Sequence, residues 1–371
     1  MWYARGVPSV LLDLRMVHGR LHGIARYALE LARRLPALAP GWRFSALVPA
    51  GGLPGDLGPL APRIPQHRSR APFLGLLEQP LLLAELTRLA PDLFHATSFS
   101  LPLLWPGRLV ATLHDANHLA LPELYGPGRR AYYRLVVGPR ARRAAALLTV
   151  SEFSREELAR HLDLSAYRLQ VIAPGVDEHF TPPSAAQARA FRERHGLPPR
   201  YLAVVGNPKP HKNLALLAGL AEALPVPMVL LAGAGAREAL GFPASTRELT
   251  HLPEQEMPLF YGAASALLMP SRYEGFGLPA LEALACGCPV VAARSSAIPE
   301  VTGEAALLVP PDDAAGWKEA ILRLLRDEPL RRELAARGAE RAARFSWDDC
   351  ARRTLAAYAR ALESRGGAAR T

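Results

Sequence analysis

The sequence predicts an α/β protein built from two doubly wound, mostly parallel sheets. Three observations carry this. Short apolar runs of strand length alternate with stretches of helical periodicity, the pattern of βα units. The alternation stops in a proline-rich stretch, "VIAPGVDEHFTPPSAAQ", and then starts again. The chain has 371 residues, long enough for two hydrophobic cores.

In the first half, "SVLLDLRMV" reads as a strand and "GIARYALELARRLPAL" as a helix with Ile24, Tyr27, Leu31 and Leu35 on one face. "RFSALVPA", "DLFHAT", "RLVATLHD" and "ALLTVS" are further strands, and the Gly/Pro-rich stretch from Ala50 to Pro72 reads as a loop. In "SREELARHL", Ser154 is expected to cap a helix, with Glu157 completing a capping box. The linker is placed near Pro174 to Ser184. Beyond it, "YLAVVGN", "PMVLLAG", "ALLMPS", "PVVAA" and "AALLVP" are strands, and the tail from Asp312 to Arg365 is mostly helical.

Composition narrows the function classes. Half the residues are hydrophobic and 21% are charged, the balance of a globular protein. No apolar run reaches the roughly 18–20 residues of a membrane span, and the N-terminal apolar stretch is short and interrupted by Asp13, so a cytoplasmic location is expected. Cys286, Cys288 and Cys350 give no disulfide framework, and the Cys-Gly-Cys pair has no second ligand pair at metal spacing. The net charge is +10 and arginine supplies nearly all of the positive charge. The densest basic patch is "GPGRRAYYRLVVGPRARRAA", from Gly126 to Ala145. It reads either as a solvated helix face or as a contact for an anionic membrane, and no nucleic-acid-binding motif accompanies it.

The chemistry concentrates in "SRYEGFGLPALEALACGCPVVAA", Ser271 to Ala293. A strand leads into a Gly-Phe-Gly turn and a helix with Pro279 in its first turn. Gly275 and Gly277 let a ligand approach the backbone, and a helix N-terminus offers unpaired N–H groups and partial positive charge, the recipe for holding phosphate. Glu274 and Glu282 bracket the turn. Carboxylates would repel phosphate but accept from sugar hydroxyls, so the two together suit a diphosphate flanked by sugars. A second cluster, "YLAVVGNPKPHKNLALL", follows a strand with Gly206 and holds Lys209 and Lys212, two of the three lysines in an arginine-rich chain. A compact ammonium at a helix start suits a terminal phosphate. "PMVLLAGAGAREAL" lacks the third glycine of a dinucleotide fingerprint, Glu238 standing in its place. In the first half, His114 and Asp115 fall at a strand end, where His114 could hydrogen-bond a reacting sugar or accept a proton. Gly19 and Gly23 flank the first strand–helix turn. His18, His22, His95 and His118 are weaker candidates.

"EGFGLPALE" resembles the Glu-x7-Glu signature of the retaining glycosyltransferases of family 4, group 1. "GIARYALEL", "DLFHATSFSLP", "ATLHDANHLALPELY", "VSEFSREEL", "PGVD", "VVGNPKPHKNL", "YGAASALLMPSRYEGFGLPALEALACGCPVV" and "SSAIPEVTGEAALLVPPDD" follow in the family's order and cover most of the chain. "PHKNL" and "SSAIPEV" are most similar to its mannosyltransferase-type members. The resemblance implies a GT-B fold, with two Rossmann-like domains facing a cleft: residues 1–175 for the acceptor, 176–345 for the nucleotide-sugar donor, and a helix in 346–371 crossing back to the first domain. It implies a retaining, metal-independent hexosyltransferase with no cofactor, its donor GDP-mannose or a UDP-hexose and its acceptor a carbohydrate or a lipid-linked glycan, as in polysaccharide biosynthesis. A nucleotide-sugar epimerase of the same fold and a non-catalytic sugar-nucleotide binder are the alternatives. Carried over by position, Glu274 would hold donor-sugar hydroxyls, with the N–H groups of Phe276 and Gly277 beside it and Leu278 near the diphosphate. Glu282 would bind the ribose, Lys212 the departing diphosphate and His114 the donor sugar. Gly23 would lie against phosphates or acceptor, and the backbone near Leu252 would meet the base. The family's arginine near the lysine is replaced here by Asn207, Lys209 and His211, with Lys209 the candidate substitute.

Overall fold

The computed structural model of the chain describes residues 6–18, 22–54, 64–75 and 77–363. The chain forms two compact units, Met1–Gly175 with Trp347–Thr371, and Val176–Ser346.

The first unit is built on a seven-stranded sheet: β1 (Ser9–Asp13), β2 (Arg43–Val48), β3 (Gln66–Arg68), β4 (Leu93–Ala96), β5 (Arg108–Thr112), β6 (Ala146–Thr149) and β7 (Leu169–Val171). The spatial order is β3-β2-β1-β4-β5-β6-β7 and every pair is parallel. Such a sheet is buried on both faces, which is why its inner strands read as unbroken apolar runs. The order reverses direction between β1 and β4, and ligands in open α/β sheets sit outside the carboxyl ends of the strands at that point.

The second unit repeats the scheme with β8 (Leu202–Val205), β9 (Met228–Leu231), β10 (Arg247–Glu248), β11 (Ala266–Met269), β12 (Val290–Ala293) and β13 (Ala306–Val309), ordered β10-β9-β8-β11-β12-β13 and all parallel. Its reversal lies between β8 and β11.

All ten strands expected from the sequence are present. The three additional ones, Gln-His-Arg, Leu-Gln-Val and Arg-Glu, are edge strands. An edge strand is bonded on one side only, and these three, two or three residues long, are too short to leave a periodic signal. β3 thus lies inside the stretch expected to be loop. The expected cap at Ser154 is also corrected. The helix runs Glu152–Leu162, and Ser151 caps it by accepting from the Ser154 amide at 3.0 Å. Ser154 is buried one turn in, and its hydroxyl donates to the His114 carbonyl at 2.8 Å.

The helix Trp347–Glu363 packs in the first unit, against helix Gly23–Leu38 and β5. Trp347, Cys350, Ala351, Thr354, Tyr358 and Ala361 are buried at helical spacing. The Tyr358 hydroxyl lies 2.6 Å from His95 Nδ1, while His95 Nε2 lies 2.8 Å from the Thr112 hydroxyl, itself 2.9 Å from the Tyr27 hydroxyl. Both ring nitrogens of His95 are therefore committed to structure. Burial drives its pKa down to about 3, with His114 adding to the shift. At the end of β1, buried Arg15 grips Asp13 at 2.9 and 2.7 Å and reaches Glu78 at 3.3 Å and Ser100 at 2.7 Å. Removing one member of such a cluster leaves an uncompensated buried charge.

Burial lowers the pKa of His114 as well, to about 4, a shift that His22 deepens and a hydrogen bond to Thr97 opposes. For both histidines the folded value lies below the ordinary value near 6.5. Above that value neither state is protonated and the pair costs nothing; below it the unfolded chain takes up protons that the folded chain refuses. The melting temperature of the wild type should therefore fall as the pH drops from about 7 to about 5, and His95→Gln should flatten the fall. A melting temperature independent of pH across that window would contradict the assignment.

Candidate functional site

The loops after β8 and β11 flank the reversal point of the second sheet. After β8 the chain passes Gly206, turns at Asn207–Lys209, forms a single turn at Pro210–Lys212 and enters helix Leu214–Leu220. The Asn207 side chain accepts from the Lys209 amide at 3.3 Å, an Asx turn. Asn213 takes left-handed backbone angles (φ 54°), which asparagine tolerates better than most residues, and its amide nitrogen donates to the Pro311 carbonyl at 2.8 Å. This pinned turn aims Lys212 at the second loop. Its Nζ lies 2.7 and 2.9 Å from the two carboxylate oxygens of Glu274. Their side chains are 18% and 12% exposed, so the pair is shielded but reachable. Two candidates 62 residues apart are thus joined. An ammonium has three N–H donors, so two bonds to Glu274 leave one for a ligand, and the carboxylate keeps lone pairs for hydroxyls.

Glu274 is fixed by its backbone too. Its amide donates to the Ser296 hydroxyl at 3.0 Å, its carbonyl accepts from the Ala297 amide at 3.4 Å, and the Ser295 hydroxyl donates to the Ser271 carbonyl at 2.7 Å. After Gly275, Gly277 adopts φ 109°, which essentially requires glycine, and caps helix Leu278–Ala285. The backbone N–H groups of Phe276, Gly277 and Leu278 donate to no other described residue. The Phe276 ring is held edge-on against Phe345 at 5.7 Å. One turn into the helix, buried Glu282 accepts from the Tyr261 hydroxyl at 2.9 Å.

Other candidates are less engaged. Lys209 is exposed on the turn and forms no ion pair with a described residue. A Cβ at Gly206 would meet only Leu214, at 3.7 Å, so no clash with the protein demands glycine there. Leu252 follows β10, two strands from β8, and its side chain is buried, leaving backbone groups to offer. Burial raises the Cys286 thiol, and Cys288 is pushed up to about 12. Among the described residues no three His, Cys, Asp or Glu side chains cluster as metal ligands.

In the first unit, His114 follows β5. Its Nε2 lies 2.9 Å from the Thr97 carbonyl, an acceptor only, so Nε2 carries the proton. The neutral ring then presents Nδ1 as an acceptor, while Tyr27 stands edge-on at 4.9 Å. Burial keeps the ring neutral, the form that can accept a hydrogen bond. Gly23 is the exposed first residue of helix Gly23–Leu38, whose amide at Ala25 donates to His22 Nδ1 at 3.3 Å. Gly19 lies outside the described residues. His18 is exposed, and the ring of His118 is packed between Tyr125 and Phe99.

Two supporting residues escaped the sequence reading, and a third, His211, was named there only for its place in the stretch that lacks the arginine. Ser296 and Tyr261 sit in ordinary-looking segments, and nothing in their spacing marks a contact with Glu274 or Glu282. His211 is buried beside Lys212 with Nδ1 unpartnered. Burial, aided by Lys212 and opposed by Glu274, lowers its pKa to about 4, so it adds no positive charge to the site.

Comparison with known proteins identifies the family. Residues 187–341 match the family model "Glycosyl transferases group 1" and residues 21–180 match "Glycosyltransferase Family 4". The chain is 31% identical to the O-antigen chain mannosyltransferase B of Escherichia coli over 91% of its own length and 96% of that protein. It is 31% identical to the D-inositol 3-phosphate glycosyltransferase of Salinispora tropica over 93% of this chain and 82% of that one. Among solved structures, sucrose-phosphate synthase from Thermosynechococcus elongatus superposes with a TM-score of 0.78 at 20% identity, covering 96% of this chain and 100% of that one. Anabaena HepE, in complex with UDP and glucose, superposes with a TM-score of 0.76 at 20% identity, covering 95% and 99%. The chain therefore belongs to glycosyltransferase family 4 and has its GT-B fold.

Proposed function

We propose that this glycosyltransferase moves a hexose, mannose first, from a nucleoside-diphosphate sugar to an acceptor hydroxyl with retention of anomeric configuration and without a metal or other cofactor. The observation that carries the reading is the Lys212–Glu274 pair beside three undirected backbone N–H groups. It offers positive charge and a carboxylate within one ligand's reach, which a sugar diphosphate needs and neither a bare phosphate nor a neutral glycan does. Mannose is put first because the family relative matched over nearly its whole length is named a mannosyltransferase. The structure of HepE with UDP and glucose supports a nucleotide-sugar donor.

The Glu274 carboxylate accepts from donor-sugar hydroxyls. The diphosphate meets the N–H groups of Phe276, Gly277 and Leu278 and the remaining Lys212 donor, with Gly275 and Gly206 leaving room for it and Lys209 adding charge at longer range. Glu282, oriented by Tyr261, accepts from the ribose hydroxyls, and the base lies toward the backbone at Leu252. His114 accepts from a sugar hydroxyl through Nδ1, and Gly23 borders the acceptor or phosphates. The bond between the anomeric carbon and the β-phosphate oxygen breaks with its electron pair on the phosphate. Charge grows there as an oxocarbenium-like centre forms. Donors already aimed at that charge lower the barrier without reorganising. The acceptor oxygen attacks from the face the phosphate leaves, and its proton passes to the departing phosphate. An ammonium and oriented amides thus neutralise the charge for which other transferases recruit a cation.

A thermal-shift screen against nucleotide sugars tests donor binding, since a ligand of the folded state raises its melting temperature. With a donor in hand, Lys212→Ala should lower turnover about 100-fold or more, the scale of losing one preorganised partner of developing charge. Turnover near the wild-type value would discard the role. Glu282→Ala should weaken donor binding. Tyr261→Phe, which removes the hydrogen bond that orients the carboxylate, should raise donor KM by roughly fivefold at unchanged kcat, the worth of about one hydrogen bond. A KM untouched by either change would remove Glu282 from the ribose.

A further inference from the structure

We infer that Ser296 is a positioning residue for the donor sugar, a role that rests on the donor-site reading of Glu274 given above. Its hydroxyl, set under the Glu274 amide by a left-handed backbone, holds the Glu274 carboxylate in place once a diphosphate has engaged Lys212.

Glu274 is held at two ends. At its side chain, the Lys212 ammonium commits two of its three donors to the carboxylate, at 2.7 and 2.9 Å. A diphosphate carries more charge than one carboxylate and competes for the same donors, so this hold weakens when the donor arrives. At its backbone, the loop after β12 addresses both polar groups of the residue. The Ser296 hydroxyl accepts from the Glu274 amide at 3.0 Å, and the Ala297 amide donates to the Glu274 carbonyl at 3.4 Å. One residue earlier, the Ser295 hydroxyl donates to the Ser271 carbonyl at 2.7 Å. None of these groups is charged, and none is shared with Lys212, so the backbone hold persists when the ammonium turns to phosphate. The sequence after Glu274 adds no stiffness of its own, since Gly275 and Gly277 follow and glycine has the freest backbone.

The backbone of Ser296 is a second, independent observation. Its φ is 53°, in the left-handed region that serine occupies at a cost. Of the other described non-glycine residues with positive φ, Ala90 and Asp163 end helices, where a left-handed residue is common. Asn213 is of a type that tolerates the conformation, and Leu74 lies in the first unit, its amide donating to Glu78 at 3.2 Å. Ser296 ends no helix and stands two residues ahead of helix Ile298–Thr302. Glycine would take the same angle without strain, so the strain is what this loop bears to keep a hydroxyl there. A strained residue kept for its side chain, bonded to the residue assigned to the sugar, points to a role in the site and not only in the fold.

Calorimetric titration of the full chain with GDP-mannose and GDP, and with UDP-glucose and UDP, tests this on Ser296→Gly and Ser296→Ala. Both variants lose the hydroxyl, but glycine also relieves the backbone, so Ser296→Gly should melt at or above the temperature of Ser296→Ala. Both should bind the cognate nucleotide sugar about fivefold more weakly, the worth of about one hydrogen bond, while binding the nucleoside diphosphate within about twofold of the wild type. Glu274→Gln, measured alongside, should weaken nucleotide-sugar binding as well. If it does and the Ser296 variants do not, the inference fails and the donor-site reading stands. If Glu274→Gln changes nothing, or neither nucleotide pair binds the wild type, the donor-site reading fails and takes the inference with it. Equal weakening of both ligands in the Ser296 variants, in step with a lowered melting temperature, would make Ser296 a brace of the fold alone and overturn the inference.

Discussion

Everything proposed for the second unit depends on one ion pair and on the topology that makes it. A parallel sheet delivers all its strands with their carboxyl ends on one edge, and the reversal between β8 and β11 parts the connecting helices there. The loops that follow those two strands are thereby set side by side, and Lys212 meets Glu274 across them. Neither residue could be held so by local sequence alone. The pair in turn sets the charge of the site. A carboxylate next to a phosphate position would repel the ligand; with its charge met by the ammonium, it is left to bind hydroxyls.

The supports around the pair are backbone devices. Asn213 in a left-handed conformation, Ser296 under the Glu274 amide and Gly277 at φ 109° each fix a loop atom without adding charge. His211 shows the same restraint, because it is buried and neutral beside a lysine. Preorganised donors gain their worth from not having to move when charge develops. A loop pinned at this many points meets that condition better than a flexible one carrying the same residues.

What could be read in advance follows from how local each signal is. The strands of four to six residues announce themselves by continuous apolar runs, whereas β3, β7 and β10, two or three residues long at sheet edges, give no such signal. Gly277, Glu274 and Lys212 stood out because a glycine before a helix, paired carboxylates and rare lysines each have a chemical reason to be where they are. Tyr261 and Ser296 did not, because their roles exist only through partners 21 and 22 residues away in the chain. The misplaced cap has the same origin. Ser151 and Ser154 are both plausible caps in sequence, and only the buried contact of Ser154 with the His114 carbonyl separates them. His95 read as a spare histidine until Tyr358, 263 residues on, took its Nδ1.

The central claim is that the Lys212–Glu274 pair and its neighbouring amides form a diphosphate site. Calorimetric titration of GDP against GMP, and of UDP against UMP, tests it most directly because no catalysis is involved. The account predicts that the wild type binds the diphosphate of its cognate nucleoside at least about tenfold more tightly than the monophosphate, the scale of one charge-assisted contact, and that Lys212→Gln removes most of that difference. Equal affinity for diphosphate and monophosphate in the wild type, or a preference that survives Lys212→Gln intact, would contradict it.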